Sequence, residues 1–319
     1  MDDIFKSITK SLKDVILLND NTISDVDSWI STGVDVLDSI MGEGVPEGRI
    51  VEIFGDESTG KSTLGLSILR QVQLKGDNYI PVLIDTEASF DTKRAEELGL
   101  DVGRLLYVDL DTIEDIFDFM KNIAKEIKSK GNYRTVIVWD SLAATTTKAE
   151  LEGMVGDQQY GLHARLLSQG FRMYRRLMSE YNVTLVVINQ TREAMNTGYF
   201  GPSYVTFGGK ALKFYASIRL RMRVSEKIKK GDEVVGVKIR AETVKNKVYS
   251  PFKECYIYLD FEKGFDNFYS SVEYLLQKGV LKKSSGWVEY KNKKYRVVDL
   301  VSYFKENEVE LKQLMKEVT

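Results

Sequence analysis

The sequence predicts an α/β protein: a mostly parallel central sheet built around a phosphate-binding loop, preceded by an N-terminal helix and followed by a small C-terminal α+β domain. Three observations predict it. From about residue 33, short and nearly continuous apolar runs alternate with helix-length amphipathic runs, the pattern of a parallel sheet covered on both faces. The run Ile50-Val51-Glu52-Ile53-Phe54 leads straight into Gly55-Asp56-Glu57-Ser58-Thr59-Gly60-Lys61-Ser62-Thr63 and then into a helical run from Leu64. After Gly264 the alternation stops.

In chain order, Ile4, Phe5, Ile8, Leu12, Val15 and Ile16 recur every three or four positions and predict an amphipathic helix. Its apolar stripe must bury on its own core or on a neighbouring subunit. With the polar stretch 19–32 it forms an expected oligomerisation segment, residues 1–32. Strands are expected at 49–54, 81–85, 104–108, 135–140 and 183–189, and helices at 61–75, 92–99, 112–129 and 158–180. Three further strands, at 218–224, 234–244 and 254–261, follow without helices between them, so the sheet is expected to continue antiparallel and to complete a core over 33–264. A helix near 270–278, a hairpin from 287–290 turning through 291–294, and one helix over 298–317 make up the last unit, 265–319.

Composition narrows the chemistry. Hydrophobic content of 43% and charge of 29% are those of a soluble globular protein. Every strongly apolar run is shorter than a bilayer requires, and Met1-Asp2-Asp3 lacks the basic start of a signal peptide, so no membrane partner and a cytoplasmic location are expected. A single cysteine excludes an internal disulfide, and a single histidine excludes a His-clustered metal site. Catalysis must then rest on carboxylates, lysines, arginines and Mg²⁺. Charge is unevenly spread: residues 1–48 carry three Lys against ten Asp/Glu, and residues 210–253 carry thirteen Lys/Arg against four Asp/Glu. The two segments are either solvated faces or a polyanion surface combined with a head-to-tail subunit contact.

The nine residues from Gly55 to Thr63 fit the pattern G-x-x-x-x-G-K-[ST] between a strand and a helix. Backbone N–H groups there can point at phosphate oxygens, reinforced by the helix N-terminus. Lys61 would neutralise the β- and γ-phosphates, and Ser62 would ligand Mg²⁺. Other features lie at strand ends, where open α/β sheets bind ligands. Asp140 closes Thr135-Val136-Ile137-Val138-Trp139 and suits a carboxylate serving Mg²⁺. Glu87, after Val82-Leu83-Ile84-Asp85-Thr86, is the choice for orienting water, with a strand-capping Glu as the plainer alternative. Gln190, after Val186-Val187-Ile188-Asn189, can hydrogen-bond a γ-phosphate and couple it to the segment Thr191–Gly209. That segment mixes Gly198, Gly201, Gly208 and Gly209 with Tyr199, Phe200, Tyr204 and Phe207. It reads as a nucleic-acid-packing element or as a plain surface loop. Arg165, Ser168, Gln169, Arg172 and Arg176 share one helical face, either solvated or tracking phosphates.

On these residues the chain resembles the RecA family of DNA strand-exchange recombinases. STGVDVLDSIMGEGVPEGRIVEIFGDESTGKST, DTEASFD, VIVWDSLAA, KAELEGMVGDQQYGLHARLLSQGFR, INQTR, FGGKALKFYASIRLR and KNKVYSPFK are similar to its successive motifs, in order, over about Ser31 to Tyr290. The resemblance implies a RecA-like P-loop ATPase core that takes ATP and Mg²⁺, with Glu87 activating water and Gln190 reporting the γ-phosphate. It implies DNA loops at Glu152–Tyr160 and Thr191–Gly209, with Arg165, Ser168, Arg172, Phe200, Gly208 and Gly209 on DNA. It also implies that Lys245 and Lys247 reach the ATP of the next subunit in a helical filament on single-stranded DNA, which pairs with double-stranded DNA. The sequence departs from the family at Arg94, three positions after Asp91, where the family often stacks a Tyr on adenine; either guanidinium stacking or looser base selection is expected instead. It ends without the acidic tail of many members, which suggests a compact, phage-encoded one. Lys278, Lys282, Lys283, Lys291, Lys293, Lys294 and Arg296 accompany only Glu289 over 278–296, either a duplex-capturing surface or a solvated hairpin. The competing functions are an ATP-gated scaffold or recombination mediator, and a hexameric helicase-type motor.

Overall fold

The computed structural model describes residues 26, 28–154, 161–193 and 204–318. The expected N-terminal helix lies outside them. The described chain runs β1 (Trp29–Ile30), α1 (Asp35–Met41), β2 (Val45–Pro46), β3 (Ile50–Gly55), α2 (Lys61–Lys75), β4 (Tyr79–Asp85), α3 (Thr92–Glu97), β5 (Leu106–Val108), α4 (Ile113–Ser129) and β6 (Arg134–Asp140). It continues through α5 (Lys148–Glu152), α6 (Leu162–Glu180), β7 (Val183–Glu193), β8 (Tyr204–Thr206), α7 (Ala211–Tyr215), β9 (Ile218–Lys230), β10 (Glu233–Asn246), β11 (Glu254–Asp260) and β12 (Gly264–Phe265). The last part holds α8 (Asn267–Gln277), β13 (Lys282–Ser284), β14 (Trp287–Tyr290), β15 (Lys293–Tyr295), α9 (Val297–Glu306) and α10 (Glu308–Lys316).

A 10-stranded sheet follows the order β12-β11-β10-β9-β3-β7-β6-β4-β5, with β8 paired to β7. The strands from β9 to β5 pair parallel. One expectation therefore changes: Ile218–Lys230 joins β3 in parallel, because the five-residue helix α7 supplies a crossover too short to show a helical period in sequence. Antiparallel pairing begins only at β10.

Alternate side chains of one strand feed opposite layers. In β6, Val136 and Val138 join the core under α1, α2 and the C-terminal helices, whereas Ile137 and Trp139 join the core under α4 and α6. Val186 and Ile188 of β7 divide from Leu185 and Val187 in the same way. This two-sided burial is why these strands read as continuous apolar runs. The helices carry their own start signals: Thr112 accepts from Asp115 N–H at α4, and Thr147 and Glu150 form a capping box at α5.

In the C-terminal unit a three-stranded antiparallel sheet, β13-β14-β15, packs with α8 to α10. The strand β13, Lys282-Lys283-Ser284, is wholly exposed and so carried no apolar signal. The single helix expected over 298–317 is two. Asn307 breaks it at φ −127°, ψ 53°, and its side-chain amide joins its own N–H on the Tyr303 carbonyl, at 2.9 and 3.0 Å. The break turns α10 so that Leu311 and Met315 bury against the main core.

Candidate functional site

The phosphate-type loop grows from the centre of the sheet. At the end of β3 a side chain on Gly55 would place its Cβ 1.9 Å from the Met222 carbonyl oxygen of β9, so only glycine fits there. The loop then turns through Ser58 and Gly60, at φ 57° and 74°, into α2. Two bonds close it on itself: the Thr59 hydroxyl and the Lys61 ammonium donate to the Asp56 carbonyl at 2.9 and 2.6 Å. Lys61 is buried, and burial lowers its pKa against the pull of Asp140, Asp56, Glu87 and Glu57. The loop and the tip of β11 border a cavity of about 330 Å³. Beside it, a second cavity of about 160 Å³ is walled by Ser62, Thr63, Asp91, Arg94, Leu98 and Asp140, among others.

Asp140 ends β6 beside the loop and accepts a hydrogen bond from the Ser62 hydroxyl. Burial, with Glu87 and Asp85 nearby, pushes its carboxyl up to about 6 from an ordinary 3.8. Because the folded-state value lies above the unfolded one, this acid favours folding below about pH 4, and the contribution is lost as pH rises through 6. Asp140→Asn is accordingly expected to be more stable than the wild type at pH 7.5, by on the order of 1–3 kcal/mol. The gain should vanish near pH 4. Thermal unfolding of both ligand-free proteins at the two pH values checks this; equal stability at pH 7.5 refutes it.

Glu87 lies one strand away. Its Oε1 accepts from the Ser141 hydroxyl at 2.5 Å and from Gln190 Nε2 at 3.2 Å. Asp85 holds the intervening turn, accepting from the N–H groups of Glu87, Ser89 and Phe90 at 3.1, 3.0 and 2.9 Å and from the Tyr107 hydroxyl at 3.2 Å. A cis peptide joins Asp140 to Ser141. Thr191, next to Gln190, donates to the Asp56 carboxylate, so the end of β7 is tied to both Glu87 and the loop. Asp91 caps α3 by accepting from Arg94 N–H at 3.1 Å. Arg94 walls the smaller cavity, and its guanidinium donates to the Glu262 carbonyl and to Glu97.

Lys245 and Lys247 converge on one carbonyl. Lys245 donates to the Lys213 and Phe214 carbonyls at 2.6 and 3.0 Å, and Lys247 reaches the Phe214 carbonyl at 3.4 Å. Within one chain they lie away from the phosphate loop: Lys245 pairs with Arg219, which pairs with Glu52, three residues before Gly55, and Asn246 pairs with Ile218. Burial, then Lys247 and Arg219, lowers Lys245 to about 8.

Arg165, Gln169 and Arg172 are exposed on α6, with Ser168 half-buried between them. Gly208 turns at φ 80° against that helix, where a Cβ would meet Leu167 at 2.8 Å and Leu142 at 3.0 Å, and Gly209 faces Ala164. Phe200 and the Arg176 side chain lie outside what is described, as do residues 155–160 of the first expected DNA loop.

Sequence reasoning missed a buried knot behind this face. Glu52 accepts from Asn189 Nδ2 at 2.9 Å and from Arg219 Nε, and Asn189 also donates to the Phe207 carbonyl at 3.1 Å. The Arg219 guanidinium covers Phe54 at 4.6 Å, Phe54 stacks on Tyr204 at 5.7 Å, and Arg221 covers Tyr204 at 3.7 Å. A charged residue inside the apolar run of β3 was the one available signal.

A family model described as the RecA N-terminal domain matches residues 1–266. Protein RecA of Campylobacter hominis is 39% identical over 297 residues, covering 92% of this chain and 83% of its own length. Protein RecA of Ureaplasma parvum serovar 3 is 36% identical over 295 residues, 92% of this chain and 86% of its own. Protein RecA of Thermus thermophilus is 41% identical over 263 residues, 82% and 75%. With a family model over most of its length and relatives well above 30% identity, the chain belongs to the RecA family, whose homology carries DNA recombination and repair with binding of ATP and DNA.

Proposed function

We propose that the protein is an ATP-dependent recombinase that polymerises on single-stranded DNA and catalyses homologous pairing and strand exchange with a duplex, with DNA-stimulated ATP hydrolysis. One observation carries the reading. Strand β7 brings Gln190 to Glu87 and Thr191 to Asp56, then pairs with β8, which leads into the turn at Gly208 and Gly209 against α6. In this reading the nucleotide site and the DNA face are joined through β7 and its partner β8.

The residues fit ATP and Mg²⁺. Gly55 to Thr63 would hold the phosphates, with Lys61 already desolvated for an anion. Ser62 and Asp140 would hold Mg²⁺; a carboxyl pushed up by burial, with two further acids nearby, is a site that favours a cation. When bound, Mg²⁺ would offset charge on the phosphate oxygens. Glu87 would orient water, Gln190 would sense the terminal phosphate, and Asp91 and Arg94 would border the base. Lys245 and Lys247 would serve the ATP of the adjacent subunit.

Arg165, Ser168, Arg172, Phe200, Gly208 and Gly209 would face single-stranded DNA, and the basic C-terminal hairpin would capture the duplex. We further propose the division into a 1–32 oligomerisation segment, a 33–264 core and a 265–319 small domain. No helix among the described residues is long and apolar enough to cross a membrane, and we place the protein in the cytoplasm.

Electron microscopy of the protein with single-stranded DNA and a non-hydrolysable ATP analogue, read beside ATP turnover with and without DNA, tests the proposal. A helical filament and many-fold stimulation are expected. A closed ring would favour a helicase-type motor, and nucleotide binding with no stimulated turnover would favour a scaffold; either outcome refutes the recombinase.

A further inference from the structure

His163 is the single histidine of the chain, and neither the phosphate loop nor the proposed DNA face makes use of it. It lies half-buried in the first turn of α6, two residues before the exposed Arg165. Its Nε2 is 3.0 Å from the Thr145 carbonyl oxygen. A carbonyl oxygen only accepts, so this ring nitrogen carries a proton and donates it.

From Thr145 the hydrogen bonds continue in one direction. The Thr145 hydroxyl donates to the Ser141 carbonyl at 2.9 Å, and the Ser141 hydroxyl donates to Glu87 Oε1 at 2.5 Å. The Trp139 indole N–H donates into the Thr145 oxygen at 2.9 Å, which commits the Thr145 proton to Ser141. Trp139, Ser141 and Thr145 are all buried, where such bonds are strong and costly to leave unmade. Beyond Thr145 the segment is anchored again, since Glu150 Oε2 accepts from the Thr146 hydroxyl at 2.8 Å and the Thr147 N–H at 2.9 Å. Residues 141–147 are therefore held at both ends, and His163 supplies a hydrogen bond from α6 to them.

We infer that His163 is a positioning residue: it transmits the engagement of α6 by single-stranded DNA, through Thr145 and Ser141, to the orientation of the Glu87 carboxylate. The inference rests on the recombinase reading above. Its physical basis is that Ser141 and Gln190 converge on the same Glu87 oxygen, which sets the plane of the carboxylate and leaves Oε2 for water. Phosphates drawn to Arg165 and Arg172 pull on the helix that carries His163. A small shift of its first turn then moves Thr145, Ser141 and the Glu87 partner together, and a misplaced water-orienting group is costly.

The test uses the full-length chain as wild type, His163→Ala and His163→Gln, the last because a Gln amide can again donate to the Thr145 carbonyl. ATP turnover is measured without DNA and at saturating oligothymidylate, with oligothymidylate affinity by fluorescence anisotropy and thermal unfolding of each protein. For His163→Ala we expect turnover without DNA and DNA affinity to stay within about twofold of the wild type, while the DNA-stimulated kcat falls about tenfold at constant KM, within the range of residues that couple remote sites. His163→Gln should recover most of the loss. Full stimulation in His163→Ala overturns the inference alone, as does a loss of DNA affinity in step with kcat, which would make His163 a DNA contact. A loss that tracks thermal stability and is not rescued by Gln also overturns it. A wild type that DNA does not stimulate removes the recombinase reading, and the inference falls with it.

Discussion

Glu87→Gln is expected to lower DNA-stimulated ATP turnover by roughly 10²–10⁴-fold, the usual contribution of a positioned general base. Nucleotide and DNA affinities should hold within about threefold, because the change removes a charge and keeps the shape. Glu87 is exposed just beyond the end of β4, and its Oε1 is held by Ser141 and Gln190, so one carboxylate oxygen is oriented by the protein. Gln retains an oxygen to accept from Ser141 but cannot take a proton from water. Steady-state turnover beside equilibrium binding of an ATP analogue decides the matter. Wild-type turnover in the variant would return Glu87 to a strand-capping role.

Replacing Lys245 and Lys247 together by Ala is expected to reduce stimulated turnover by about 10³-fold or more, the scale on which a cation supplied to phosphoryl transfer from a neighbour operates. The cost to the fold should not exceed about 1 kcal/mol, since the ammonium groups satisfy carbonyls at the end of the short helix α7 and Lys247 lies over the Phe214 ring. Their placement away from the loop in their own chain makes complementation decisive. In an equal mixture with Glu87→Gln, the lysine variant supplies intact Glu87 and the Glu87 variant supplies intact lysines. About a quarter of the randomly formed interfaces then hold both, and about a quarter of wild-type turnover should return. A mixture as inactive as its parts would mean that the lysines act on the ATP of their own chain.

Much of this was legible in the chain. The phosphate loop was readable because its glycines and Lys-Ser pair stand between two strong periodic signals, and α2 begins and ends where the period does, at Lys61 and Lys75. The strand ends that carry Asp140, Glu87 and Gln190 were readable because β4, β6 and β7 are buried on both faces. Elements without burial contrast were harder: β13 is exposed throughout, α7 is too short for a period, and Asn307 interrupts a continuous apolar stripe through its own backbone angles. Arg94 illustrates the same limit for function. Its type and spacing pointed to the base, whereas the partner that holds its guanidinium, the Glu262 carbonyl, is 168 residues away in sequence.

The sequence by itself determined the fold class, the family and which residue types bear the chemistry, because hydrophobic periodicity and a loop motif are local properties. Only the tertiary structure decided how those residues are oriented. The clasp of Ser141 and Gln190 on Glu87, the buried Glu52–Arg219–Asn189 knot, the bond from Arg94 to the Glu262 carbonyl and the line from His163 through Thr145 all join atoms from separate strands and helices. Such contacts form when the chain packs, and their geometry is written in no single stretch of it.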